Sequence, residues 1–292
     1  MSEVEVLREV APSARVSSDA TIGSRCVIGP AVTIGPGTVL GDRVTVVGHT
    51  TIGSGNDIEN GCVLGAQPQD LKFAGSPTLL IIGHRNHFGP NVTAHIGTEV
   101  GGYLTRVGDD NDLQANSHVA HDCYIDDRTT LEPYVMLAGH IHVCTGAVLG
   151  EWSGAHHFVT VGRYARVRPY TPARRDVPPF TDFCGHKDDF TPSVRGVHEA
   201  GIAAANLSEE EEKDLRRALA ELFDEETALQ TKIEQLVNLG VEGEVEHLCE
   251  FCQQSLQGVF GRYRERLRGQ VPPEAEKYLA PEQMAEARRA IL

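Results

Sequence analysis

Histidines crowd one stretch of this chain at spacings that could support proton transfer. His118 and His121 lie three apart in Asn116-Ser-His-Val-Ala-His-Asp-Cys123. His140 and His142 follow in Leu137-Ala-Gly-His-Ile-His142, and His156 adjoins His157. An imidazole titrates near neutral pH, so one of these could act as a general base while the others position an anionic substrate. Asp122 directly follows His121 and offers a carboxylate to hold its ring. Two other readings use the same residues. Three imidazoles could ligate zinc, or they could be solvated surface corners.

The choice depends on what brings the histidines together, and the chain carries a clear answer. Aliphatic residues recur every six positions through Val10, Val16, Ile22, Ile28, Ile34, Leu40, Val46, Ile52, Ile58 and Leu64. The next residue is often glycine, as at Gly23, Gly29, Gly35, Gly41 and Gly53, and four positions on the side chain is small or short, as at Cys26, Val32 and Thr38. This period matches neither a helix nor a simple strand. Each hexad reads as a short strand and a corner, and three hexads close an 18-residue triangular coil. The aliphatic points inward, the small residue fills the corner, and glycine is expected to supply the backbone angles the corner needs. Coils then stack at about 4.8 Å, each burying its face against its neighbours.

The hexads resume at Ile82, Phe88 and Ala94, break again, and run from Val107 to Val167. Two excursions are therefore expected, at about 65–77 and 97–106, and such insertions often build a binding site. His121 and His157 are 36 residues apart, two full coils, with Gly139 between them and His140 beside it. A column of imidazoles is expected along one edge of the prism.

Past Ala173 the pattern fails, and Arg174 to Pro192 reads as a linker capping the coil end. The expected division is a parallel β-helix over 1–190 and an α-helical domain over 191–292. Ser208 and Glu211 form a capping-box signature, Leu215, Leu219 and Leu222 follow at helical spacing, and Gly240, Gly243 and Pro272-Pro273 divide about four helices. Seven scattered cysteines argue against a disulfide framework and for a reducing cytoplasm. Cys249 and Cys252 form a lone C-x-x-C in a helical pattern, which favours packing over metal binding. A net charge of −15 argues against nucleic acid and anionic membrane surfaces. No run is long and apolar enough to span a membrane, and the Met-Ser-Glu-Val-Glu-Val terminus lacks an export pattern.

Four segments carry a resemblance: Gln69-Asp-Leu-Lys-Phe-Ala-Gly75, Ser117-His-Val-Ala-His-Asp-Cys123, Leu137-Ala-Gly-His140 and Asp176-Val-Pro-Pro179. The chain resembles the UDP-N-acetylglucosamine acyltransferases that open lipid A synthesis, from about Val10 to Pro179. The resemblance implies a left-handed β-helix and a homotrimer with active sites between subunits. It implies transfer of a 3-hydroxyacyl chain from an acyl carrier protein to the sugar 3-hydroxyl, with no metal or other cofactor. His121 matches the base, Asp122 its partner, and the Gly139 N–H the oxyanion donor. Gln69, Asp70, Lys72, His118, His140 and His156 match substrate-binding positions. Departures cluster where the acyl chain would lie. Gly150-Glu-Trp-Ser-Gly154 replaces small and apolar residues, Pro169 replaces a small residue, His157 stands where relatives carry Gln, and the basic stretch after the solenoid is missing. Trp152 and Pro169 are therefore expected in the acyl groove. A paralogue with another donor or sugar, a non-catalytic trimeric scaffold and a zinc hydratase are the rival readings.

Overall fold

A computed structural model describes residues 9–185, 192–224 and 227–267, with residues 270 and 282. The Met1–Val6 segment and Pro272-Pro273 lie outside the described residues. Short strands stack into three sheets of nine, eight and ten strands, and through the repeat successive strands of one sheet are parallel and three apart in chain order. The chain is a left-handed parallel β-helix with helices at its C-terminal end. Strand register follows the hexads. In the first sheet Val119 pairs with Leu137 and Leu137 with Ala155, each one coil apart.

The inward aliphatics Ile28, Ile34, Leu40, Val46, Ile52 and Ile58 belong to one continuous buried core. Removing this apolar surface from water is the main stabilising term. The small corner residues are buried too, including Cys26, Val32, Thr38 and Val44. At one corner Asn56, Asn86 and Asn111 form a ladder. Asn56 Oδ1 accepts the Asn86 N–H at 3.0 Å, and Asn86 Oδ1 accepts the Asn111 N–H at 2.9 Å. Such pairing satisfies backbone groups that the turn would otherwise bury unbonded.

The glycines after the aliphatics have a different role from the one expected. Left-handed backbone occurs two residues later, at non-glycine residues such as Arg25 (φ 57°) and Arg43 (φ 58°). Gly23 is required for close approach instead, because a Cβ there would lie 2.4 Å from the Gly41 carbonyl oxygen of the next coil.

The excursions are shorter than their expected bounds. Strand Val63–Ala66 continues through Gly65, and strand Leu79–Ile82 follows the first loop. The second loop holds a 3-10 turn, Glu99–Gly101, and ends where strand Leu104–Val107 begins. The strand edges extend because backbone pairing with neighbouring coils continues past the hexad register, as in Leu79 with Leu104.

The segment from Arg174 to Pro192 is not a linker. Val177 bridges Val161, and strand Thr181–Gly185 extends the third sheet. That strand pairs antiparallel with strand Pro192–Val197, so the expected boundary at 190/191 falls inside a hairpin. Val167 pairs with Phe183, a step of 16 residues, which takes this coil out of the hexad count. Residues 186–191 between the strands are outside the described set.

Four helices follow among the described residues: α1 (Glu199–Ala205), α2 (Glu209–Leu222), α3 (Leu229–Asn238) and α4 (Gly243–Gln257). The capping box opens α2, with Ser208 N–H donating to Glu211 at 2.8 Å and the Ser208 hydroxyl accepting the Glu211 N–H at 3.3 Å. Leu215, Leu219, Ile233, Leu248, Cys249 and Cys252 pack in a second core. Burial pushes the Cys252 thiol up to about 12, as befits a packing residue. No helix among the described residues is long and apolar enough to cross a membrane.

Candidate active site

The outer face of the first sheet forms the floor of a groove of about 550 Å³. His118, Met136, Gly154 and Pro172 come from successive strands of that face, and His121, Gly139, His156 and His157 stand along its rim. Coil stacking produces this arrangement. His121 and Gly139 occupy one turn position in adjacent coils, while Asp122 and His140 occupy the next, both with left-handed backbone (φ 59° and 65°). The His121 and His140 rings are 5.2 Å apart, edge to face, and His140 stacks on Phe158 at 4.3 Å.

His121 and Asp122 are 4% and 1% exposed, and His121 Nδ1 lies 2.7 Å from Asp122 Oδ2. A carboxylate only accepts, so Nδ1 carries the proton and Nε2 is left as the basic nitrogen. Asp122 is itself held by residues outside the expected site. Thr98 donates its N–H to Oδ1 at 2.8 Å and its hydroxyl to Oδ2 at 2.7 Å. The Asp122 N–H donates to Thr105 Oγ1 at 2.8 Å. Gly101 lies directly over the carboxylate, where a Cβ would come within 2.0 Å of Asp122 Cγ.

Glu99 links the two excursions. Its buried carboxylate accepts the N–H groups of Ala74 at 3.2 Å and Ser76 at 2.8 Å. Burial works against its charge, yet these backbone donors, with Ser76 first, hold it below the usual range. Thr98 and Glu99 were not among the expected site residues. The broken hexad marks their loop but not which residues turn inward. His95 was also missed. It is 7% exposed and its ring lies 4.8 Å from that of His118.

Among the sequence-derived candidates, the groove brings together Gln69, His118, His121, Gly139 and His156. Asp122 and His140 lie against His121. Asp70 and Lys72 are on the first excursion, outside the groove lining, where Asp70 Oδ1 accepts the Lys72 N–H at 2.9 Å. Trp152 and Pro169 are outside the lining too. They stand at the corner on the other side of the first sheet, where Trp152 is 54% exposed and stacks on Tyr134 at 4.1 Å. Trp152 also has left-handed backbone (φ 57°).

His121, Asp122 and His140 also lie close enough to share an ion. The Asp122 oxygens, however, already accept two hydrogen bonds from Thr98 and one from His121, which suits a carboxylate that orients a base. Burial draws His140 down to about 4 despite the attraction of Asp122, and it draws His95 to about 4 as well. Burial also lowers His118. Burial therefore biases His118 and His140 toward the neutral form.

This has a consequence for stability. The unfolded chain binds protons on His140 below its ordinary value of 6.5, while the folded chain resists until about 4. His140 thus makes stability rise with pH between about 4 and 6.5 and adds no slope above that. Asp176, raised by burial to about 6, contributes the opposite slope over part of this range. The clean measurement is a difference. In His140→Asn, the unfolding temperature should depend on pH with a less positive slope between 4 and 6.5 than in the parent. Equal slopes would show that the ring titrates freely.

The repeat fold and its histidine-lined groove are those of the hexapeptide-repeat acyltransferases, a class of β-helix enzymes. A Synechocystis protein named acyl-[acyl-carrier-protein]–UDP-N-acetylglucosamine O-acyltransferase is 37% identical over 229 residues, covering 78% of this chain and 79% of the relative. The chain belongs to that family. An Anaeromyxobacter protein of the same name is 38% identical, covering 73% of this chain and 82% of its own. Residues 176–260 match the family model described as UDP-N-acetylglucosamine O-acyltransferase, domain 2. A solved LpxA structure from Acinetobacter baumannii superposes with a TM-score of 0.77 at 32% identity, over 83% of this chain and 93% of that one.

Proposed function

We infer that this protein moves a 3-hydroxyacyl group from the thioester of an acyl carrier protein to the 3-hydroxyl of UDP-N-acetylglucosamine, the opening step of lipid A synthesis in the cytoplasm. The observation that carries this reading is the His121–Asp122 pair at the rim of the groove, with Gly139 packed against the ring. His121 Nε2 takes the proton of the sugar hydroxyl as its oxygen attacks the thioester carbonyl. Asp122 steadies the imidazolium that forms. The Gly139 N–H, which donates to no backbone carbonyl among the described residues, meets the developing oxyanion. Collapse expels the carrier thiolate, and His121 returns the proton to sulfur. None of these steps calls on a metal or other cofactor.

Gln69, His118, His140 and His156 then line the cleft for the two substrates. A homotrimer supplies the facing wall, and Asp70 and Lys72 on the exposed first excursion serve a cleft shared with a neighbouring subunit. The exposed Tyr134–Trp152 stack beside the groove floor favours a second reading within the same chemistry, an altered acyl donor. Trp152 and Pro169 are its determinants.

The test mixes purified protein and UDP-N-acetylglucosamine with 3-hydroxyacyl carrier proteins of several chain lengths. Product with one preferred length is the expected result, and that length measures the effect of Trp152 and Pro169. Sugar binding without product from any donor would instead mark a non-catalytic scaffold.

A further inference from the structure

A second group of reactive side chains lies away from the groove. Asp126 follows strand Tyr124–Ile125, and Cys144 follows strand His142–Val143 in the next coil of the second sheet. His142 Nε2 lies 2.9 Å from Asp126 Oδ2, and the Cys144 thiol meets the same imidazole. One ligating atom from each residue falls within 4.8 Å of the other two. Arg106 stands 3.6 Å from Asp126 Oδ1, with Asp127 at 3.9 Å on its other side.

The seven cysteines are free, and five are buried. Burial pushes Cys62 and Cys123 up to about 12, like Cys252, which makes them poor nucleophiles. Only Cys144 and Cys184 are partly accessible. Cys184 faces Arg168, whose guanidinium is already bound to Asp182, and among the described residues no imidazole pairs with it. Cys144 has an imidazole, and that imidazole has a carboxylate. Burial opposes a charge on His142, yet Cys144 and then Asp126 hold it up to about 10. A thiolate is the reactive form of cysteine, and a protonated imidazole beside it favours that form. The same trio could hold an ion of the zinc type. The guanidinium of Arg106 and a protonated His142 both oppose a divalent cation there.

We propose that Cys144 is a modification site, a nucleophilic thiol paired with His142 and oriented through Asp126, that reacts with small-molecule disulfides and soft electrophiles. In the disulfide reaction the Cys144 sulfur attacks one sulfur of the reagent and the reagent's S–S bond breaks. A new S–S bond joins Cys144 to one half. The other half leaves as a thiolate and takes the proton that His142 drew from Cys144. The protein thiol is oxidised and the departing half is reduced. With a haloacetamide, sulfur displaces halide at carbon.

The experiment treats the full-length protein with glutathione disulfide, and separately with iodoacetamide, and follows each cysteine by peptide mass spectrometry over time. Cys144 should react about tenfold or more faster than Cys184. In His142→Gln the Cys144 rate should fall toward that of Cys184, while the Cys184 rate stays unchanged. A merely structural defect would alter both. Asp126→Asn should lower the Cys144 rate in the same direction and serves if His142→Gln does not fold. Equal rates at the two cysteines, or a Cys144 rate indifferent to both substitutions, would overturn the proposal. So would one equivalent of zinc retained by the parent protein and lost in Cys144→Ser.

Discussion

His121→Ala should lower acyl transfer by about 10²–10⁴-fold, the usual contribution of a positioned general base. The ring is 4% exposed and hydrogen-bonded at Nδ1, so its geometry is set before substrate arrives. The loss should fall on kcat, because the proton moves only as the bond forms. Circular dichroism and thermal unfolding should still report a folded β-helix, since the core aliphatics are untouched. Turnover equal to that of the parent would remove His121 from the proposed role.

Gly139→Ala should be nearly as damaging, although alanine has no chemistry of its own. A Cβ at this position would lie 2.4 Å from His121 Cε1, 2.7 Å from Nε2 and 3.0 Å from Nδ1. No real Cβ tolerates such contacts, so the ring must rotate or the turn must move. Rotation breaks the 2.7 Å bond to Asp122. Displacement of a catalytic group by about an ångström is worth on the order of 10²-fold in rate. Steady-state kinetics with the thermal unfolding temperature distinguish this from collapse of the fold. A fully active Gly139→Ala would mean that the base does not stand where the groove has it. Together the two substitutions separate loss of the base from its misplacement.

The contrast between Gly139 and Thr98 also marks how far reading the chain can reach. The six-residue period is a local property, repeated at Ile22, Ile28, Ile34 and Leu40, and local sterics translate it directly into inward and corner positions. Once a coil holds 18 residues, His121, Gly139 and His157 must share one edge. Their proximity was therefore legible from spacing alone, and the segments around Asp70, His121 and His140 carried the family resemblance.

Thr98, Glu99 and His95 were not legible. Thr98 and Glu99 lie where the period is interrupted, and an interrupted repeat says that chain leaves the coil without saying where it returns. Thr98 reaches Asp122 only because a 3-10 turn folds over the carboxylate, and Glu99 anchors that turn to Ala74 and Ser76 on the other loop. Trp152 lies outside the groove lining. It occupies a regular repeat position, and its ring stacks on Tyr134 of the preceding coil. Cys144, His142 and Asp126 meet through the same stacking that joins the groove histidines, but on another face of the prism.

By itself the sequence determined the β-helix, its coil length, the edge on which the imidazoles collect and the capped start of α2. Tertiary structure decided which nitrogen of His121 faces the groove, which loop residues hold its partner, and where the solenoid gives way to helices. The physical reason is range. Periodic side-chain burial is encoded within six residues, whereas hydrogen bonds between the excursions depend on backbone paths that only the assembled coils define.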